Sequence, residues 1–390
     1  MEHLKTAAPD YDGRGLLNLT SSLRTTLGEQ PPVAPLLDGP DLVTLCRGKH
    51  VVLFVIDGLG YEFLRRAHAP ALNQTNPGIL SSVFPSTTSS AIPTFLTGLS
   101  PLEHGNVGWD LYDESLDDIV CPLPFVRRST GKSLSEEGLE PQHWFGYQPL
   151  ASQLSTKCYS VSPQAIAFSV FNRYHSGRSE IRPYGTLTEM FGTVEQVLLQ
   201  TRERSFTYAY YSELDRLGHL YGMASEQVAA NLAVLDIAYE QFLQSVAGSN
   251  AVILLTADHG FVDPPIDKRL FLPDYPDVKK LLKQRLCGEP RTAFCHVASA
   301  TQDRFENVVR ETFGDCLDLI PSVELVERGY FGPGTEHPRL RSRIGDFTLM
   351  MRDDYMLTDA LAGEERVVLN GVHGGLSTAE MRVPLCIAEI

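Results

Sequence analysis

The chain has 390 residues, 43% of them hydrophobic and 21% charged, which is ordinary for a soluble globular protein. That length allows about two or three domains, or one large α/β domain carrying an insertion. A formal net charge of −15 argues against a general binder of nucleic-acid polymers, which needs a basic surface. A small anionic substrate stays open, provided that cations in its pocket reverse the local field.

In chain order, "HVVLFVI" (His50 to Ile56) is the first predicted strand. Its unbroken apolar run suits a parallel strand covered on both faces. Pro85 and the Ser/Thr cluster after it predict a helix start. "TLTEMFGTVEQVLLQTRER" predicts a helix capped at Thr186 or Thr188, and "SFTYAYYS" (Ser205 to Ser212) a second buried strand. "SEQVAANLAVLDIAYEQFLQSVAG" has apolar residues three and four apart, a cap at Ser225 and a stop at Gly248. "NAVILLTA" (Asn250 to Ala257) is a third strand and "VPLCIAEI", at the C-terminus, a fourth.

Strands alternating with long helices predict an α/β fold, a mainly parallel sheet sandwiched by helices. From Phe261 to about Gly345 the texture changes to a proline-rich exit loop, the strand-like "TAFCHVAS" and the helix-like "QDRFENVVRETFG". This predicts a smaller α+β cap insertion at 261–345, with 1–260 and 346–390 forming the core and "RIGDFTLMM" resuming the sheet.

The seven cysteines are scattered singly, which suggests neither a thiolate zinc site nor a disulfide framework. The opening "MEHLKTAAPDYDGRG" has no apolar run, so no signal peptide is expected. No stretch approaches the ~18 apolar residues of a membrane span. A cytoplasmic protein without membrane contact is the expectation. Nothing bears on oligomeric state.

Chemistry enters at the strand ends. "FVIDGLGY" could be a nucleotide-binding turn or a metal site on Asp57. The first option fails because Phe63 stands where GxGxxG needs its third glycine. "TADHG" places Asp258 and His259 after another strand, and "YYSELDRLGHLYG" places Asp215 and His219 four residues apart. "NGVHGGLS" offers His373 before the last strand. Any one of these alone could be a helix cap or a surface histidine. Together they have the carboxylate and imidazole composition of a two-metal hydrolase, suited to Zn²⁺ or Mn²⁺. Two such ions about 4 Å apart stabilise an in-line displacement at phosphorus. A hydroxyl from the cluster Ser86, Thr87, Thr88 and Ser89 is the candidate nucleophile, and position alone does not choose among them.

The ordered motifs "VIDGLGY", "VFPSTT…TGLSPLEHGNVG", "LDRLGHLYG", "TADHG" and "GVHGGLSTAEMRVPL" resemble the alkaline phosphatase superfamily, in particular its type I phosphodiesterase/nucleotide pyrophosphatase branch. The resemblance implies an alkaline phosphatase-like fold with two divalent ions, zinc before manganese. One would be held by Asp57, Asp258, His259 and the nucleophile, the other by Asp215, His219 and His373. It places the nucleophile four residues after Phe84 and nine before Thr97, which is Thr88.

The implied reaction is hydrolysis of a small phosphodiester or pyrophosphate, nucleotides among the candidate substrates, through a phosphothreonine. On the same fold, phosphonoacetate hydrolysis and phosphomonoesterase activity are the alternatives, and a non-catalytic metal-binding relative is a further one. The resemblance also implies a phosphoryl-binding asparagine three residues past the nucleophile, where this chain has Ala91. His104 is read as structural. Tyr61, Trp109, Asp110 and Tyr112 flank the motifs, and Arg291, Arg339, Arg341 and Arg343 are taken as solvated surface charge.

Overall fold

A computed structural model describes residues 7–37, 39, 41–75, 77–360 and 368–390. The first six residues of the opening stretch and part of the 346–390 segment lie outside the described residues.

The main sheet has seven strands, numbered here in chain order: β1 (His50–Ile56), β2 (Gly78–Ser81), β3 (Lys157–Pro163), β4 (Glu180–Tyr184), β5 (Ser205–Tyr211), β6 (Ala251–Thr256) and β7 (Arg382–Glu389). Their spatial order is β2-β7-β6-β1-β5-β3-β4. The five strands from β6 to β4 are parallel, with β1 central between β5 and β6. Every residue of β1, β5 and β6 is buried, as expected for parallel strands with helices on both faces. The C-terminal strand β7 runs antiparallel to both β6 and β2.

Four helices matter to the argument: α1 (Thr88–Thr97), α2 (Leu187–Gln200), α3 (Glu213–Tyr221) and α4 (Glu226–Ser245). Thr186, not Thr188, caps α2, in a reciprocal pairing with Glu189. Ser225 caps α4, which ends at Ser245, three residues before Gly248.

The segment after Phe261 builds a separate four-stranded antiparallel sheet, ordered Cys287–Gly288, Thr292–Cys295, Phe347–Met351, Leu317–Pro321. Helix Gln302–Phe313 covers it through Phe305, Val309 and Phe313 in a second hydrophobic cluster. "RIGDFTLMM" therefore does not resume the main sheet. Phe347–Met351 is the third strand of this second sheet, paired on both sides, so the unit runs past residue 345. Alternating apolar residues mark a strand but do not say which sheet it joins. All seven cysteines are unpaired, and no described helix is long and apolar enough to cross a membrane.

Candidate active site

The carboxyl edge of the sheet collects the chemistry. Asp57 directly follows β1, Asp258 and His259 follow β6, and Asp215 lies in α3, which follows β5. These three strands are neighbours, so their ends meet. His373 arrives differently. Because β7 is antiparallel to β6, the loop before β7 sits where β6 ends.

The glycines of "DGLG" serve packing rather than nucleotide binding. Gly58 has φ +77°, and a Cβ there would lie 2.6 Å from the Phe261 ring. A Cβ on Gly60 would meet Ala379 O and Gly260 Cα at 3.0 Å.

The six expected ligands fall into two groups, Asp57 with Asp258 and His259, and Asp215 with His219 and His373. Within each group the ligand atoms lie within 4.8 Å of one another. His259 Nε2 is 3.3 Å from Asp57 Oδ1 and 3.4 Å from Asp258 Oδ2. Asp215 Oδ1 is 3.5 Å from His219 Nε2 and 3.8 Å from His373 Nε2. The groups adjoin, since the rings of His259 and His373 stack at 3.7 Å.

Electrostatics suit cations here. Burial, then the charges of Asp215 and Asp258, hold Asp57 well above the usual carboxylate range, against the Tyr210 hydroxyl that donates to it. Burial also raises Asp215, with His219 and His259 opposing. His373 is driven well below the usual histidine range by burial and then by His259 and His219.

Two oxygens, Asp258 Oδ2 and Asp215 Oδ1, are buried without a hydrogen-bond partner, one in each group. Orphaned carboxylate oxygens are costly unless something positive meets them. Each histidine directs Nδ1 at a backbone carbonyl, Gly371 O at 2.9 Å for His219, Gly260 O at 3.1 Å for His259 and Ser86 O at 3.2 Å for His373. That arrangement leaves each Nε2 lone pair for a cation. The residues present therefore fit two divalent ions.

This fit has a measurable consequence. Zinc added to chelator-treated protein is expected to stabilise it by about 5 kcal/mol when both sites are about a hundredfold above Kd. The thermal midpoint should rise on the order of 10 °C. An unchanged midpoint would contradict the fit.

The hydroxyls of the cluster differ in their surroundings. Ser86 Oγ donates to Gly375 O at 2.8 Å, and Thr87 Oγ1 donates to Glu289 at 2.7 Å. Ser89 Oγ is buried without a partner and away from the cavity. Thr88 Oγ1 lies 3.1 Å from His259 Nε2 and 3.4 Å from Asp57 Oδ1, at the first residue of α1. Its cavity, about 360 Å³, is also lined by Trp109, Glu289, Asp215, His219 and His373.

The sequence pattern of the type I phosphodiesterase/nucleotide pyrophosphatase family matches residues 51–376. The chain belongs to this family. Among curated members, bovine (Bos taurus) ectonucleotide pyrophosphatase/phosphodiesterase family member 3 is 25% identical over 250 residues, 58% of this chain and 26% of that protein. The rat (Rattus norvegicus) protein of the same name is 28% identical over 263 residues, 62% and 28% of the two chains. Venom phosphodiesterase of Naja atra is 23% identical over 241 residues, 58% and 28%. The chain thus spans about a quarter of the length of these relatives.

Murine ectonucleotide pyrophosphatase/phosphodiesterase 5 shares the fold at TM-score 0.66 and 15% identity, covering 86% of this chain and 87% of that one. A threonine-to-alanine variant of that murine protein, described as inactive and in complex with AMP, aligns at TM-score 0.65 and 16% identity, again covering 86% and 87%.

Within this phosphodiesterase-family site, several expectations change. Ala91 packs in the hydrophobic core and does not line the cavity. Trp109 and Asp110 line the cavity, whereas Tyr61 and Tyr112 do not. His104 is fully buried, bonded to Thr94 Oγ1 at 3.2 Å and the Asn106 N–H at 3.1 Å.

Two arginines taken as surface charge are interior. Arg291 is 1% exposed and pairs with Glu380, while Arg343 is 0% exposed and lies over the Trp144 ring at 4.1 Å. Each guanidinium sits where a carboxylate or an aromatic face replaces water. Arg341 pairs with Glu336 near the surface, and Arg339 donates to Trp144 O at 2.9 Å.

Sequence reasoning missed Tyr210 and Glu289. Tyr210, one residue before the end of β5, alternates among buried aromatics that read as packing. Glu289 lies in the insertion with no motif around it. Burial raises its pKa to about 8, against the Thr87 hydroxyl and the Trp109 N–H that it accepts.

Proposed function

We propose that the chain is a two-metal hydrolase of phosphodiester or pyrophosphate bonds in a small, nucleotide-like substrate, with Thr88 as its nucleophile. The carrying observation is the place of Thr88 Oγ1, beside His259 and Asp57 in the cavity that Asp215, His219 and His373 also line. Two divalent ions, zinc or manganese, would be held by Asp57, Asp258, His259 and Thr88 and by Asp215, His219 and His373, and would supply Lewis acidity and charge neutralisation at phosphorus.

The chain's own residues do the rest. Thr88 Oγ1 loses its proton and forms a bond to phosphorus while the bond to the leaving-group oxygen breaks on the opposite side and that oxygen takes up a proton, giving a phosphothreonine that keeps the substrate's other ester group. Water then displaces Thr88 in line, returning a proton to Oγ1, and the phosphomonoester product leaves. The first N–H groups of α1 have no acceptor within their helix and provide donors for a phosphoryl oxygen. Tyr210 holds Asp57 in place from behind.

Beyond the triads, Trp109, Leu286, Leu357, Leu369 and Val372 form a largely apolar wall that suits an organic leaving group better than bare water. Relatives named as nucleotide pyrophosphatases, one of them in complex with AMP, support a nucleotide-like ligand. Seven unpaired cysteines suit a reducing compartment.

The test is a side-by-side assay of metal-loaded protein on a nitrophenyl phosphodiester, a nitrophenyl phosphomonoester and phosphonoacetate. The diester is expected to be turned over with the highest kcat/KM. A preference for either other compound moves the chain to the monoesterase or phosphonate-hydrolase reading, and turnover of none of them contradicts a catalytic role.

A further inference from the structure

Among the parts of the inserted unit that meet the site is a tight turn, residues 289–292, closed by hydrogen bonds from Glu289 N to Thr292 O at 2.8 Å and from Thr292 N to Glu289 O at 3.1 Å. Three side chains of this turn reach into the core. Glu289 Oε1 accepts the Thr87 hydroxyl and the Trp109 N–H, each at 2.7 Å. Arg291 meets Glu380 with two bonds of 3.1 Å. Thr292 Oγ1 donates to Gly374 O at 2.7 Å. The turn therefore grips the residue before Thr88 and the residue after His373 at once.

Thr87 is the N-cap of α1, where a threonine hydroxyl ordinarily caps its own helix. It makes no such bond here, and its hydroxyl donates to Glu289 instead. The first turn of α1, where Thr87 O also accepts the Ser90 and Ala91 N–H groups, is thus tied to the inserted unit through the Thr87 side chain.

We propose that Glu289 is a positioning residue for the nucleophile, acting through Thr87, so that the inserted unit is part of the catalytic frame as well as a cover. The inference rests on Thr88 attacking phosphorus. Glu289 itself takes no part in bond making.

Glu289→Ala is expected to lower kcat on the nitrophenyl diester about 10²-fold, the size that a misplacement of about 1 Å produces, with KM changed less than threefold and metal content unchanged. Glu289→Gln keeps an oxygen for both donors and should restore kcat to within fivefold of the unaltered chain. Thr87→Val should match Glu289→Ala, the double variant should be no worse than either single one, and Thr87→Ser should be spared.

Hydrogen exchange of the amides at 86–91, followed by mass spectrometry, gives a readout independent of turnover. Protection should fall in Glu289→Ala and Thr87→Val and persist in Glu289→Gln. Full kcat in Glu289→Ala, equal damage from Gln and Ala, or unchanged protection would each overturn the proposal. If Glu289→Ala does not fold, the Thr87→Val and Thr87→Ser pair carries the same test. An unaltered chain that hydrolyses no ester defeats the functional reading instead, and the exchange pattern still decides the coupling between Glu289 and α1.

Discussion

Thr88→Ala is expected to reduce turnover of a nitrophenyl phosphodiester by at least about 10³-fold while bound metal stays near the level of the unaltered chain. The substitution removes Oγ1, the hydroxyl of the Ser86–Ser89 cluster that lies 3.1 Å from His259 Nε2 and 3.4 Å from Asp57 Oδ1. It should disturb little else. Thr88 occupies the first position of α1, where alanine is at least as good a helix former, and the rest of the pair of triads is contributed by other segments. Because Asp57, Asp258 and His259 still converge, three protein ligands would remain for an ion there. The loss should therefore appear in kcat, with KM nearly unchanged, as for a group that acts only in the bond-making step. Thr88→Ser should keep a substantial part of the rate. Ser90→Ala is a suitable control, since Ser90 Oγ is buried, unpartnered and outside the cavity. Turnover of Thr88→Ala within tenfold of the unaltered chain would remove Thr88 from the mechanism.

What could be read from the sequence follows from how locally each feature is encoded. The buried strands β1, β5 and β6 announce themselves as continuous apolar runs, and although one aspartate after such a run could be a helix cap, several together are harder to assign to capping. Parallel neighbours then bring those ends together without further information, which is why Asp57, Asp215 and Asp258 could be grouped in advance. The direction of β7 was not legible, because an apolar run carries no sign. Only its pairing with both β6 and β2 shows how the His373 loop reaches the edge.

Glu289 and Arg291 were illegible for a related reason. Both sit in a proline-containing turn whose partners, Thr87, Trp109 and Glu380, are about 90 to 200 residues away, and a charged residue near glycine and proline reads as solvent-exposed unless its partner is known. The asparagine that the resemblance implies three residues past Thr88 has no counterpart at Ala91. Here α1 is buried all round and position 91 points into the core.

The pair that joins the two units should also be the most expensive to break. Arg291 and Glu380 are 1% and 0% exposed at their side chains and meet through two 3.1 Å bonds, and Arg291 also donates to Tyr355 O. Arg291→Ala leaves a buried carboxylate without its cation, a change that typically costs about 3–5 kcal/mol. Against a total stability of about 5–15 kcal/mol, that should lower the urea midpoint at pH 7.5 by a large fraction of its value.

The pH dependence has a definite sign. In the unaltered chain burial would raise Glu380, but Arg291, Ser377 and the Gly375 N–H together hold it below the usual range. Its contribution is therefore present above the unfolded pKa and is lost as pH falls through the lower folded value. Without Arg291 the burial effect dominates, the folded pKa moves above the unfolded one, and the destabilisation is relieved as acid protonates the carboxyl. The penalty of Arg291→Ala should accordingly be largest at neutral and alkaline pH and smaller at pH 5, whereas a simple packing defect would cost the same at both. Arg291→Lys, which keeps the charge but not the two-pronged geometry, should fall between. A loss under about 1 kcal/mol at pH 7.5 would mean that this buried pair behaves like a surface one, and that the turn at 289–292 is held by Glu289 and Thr292 alone.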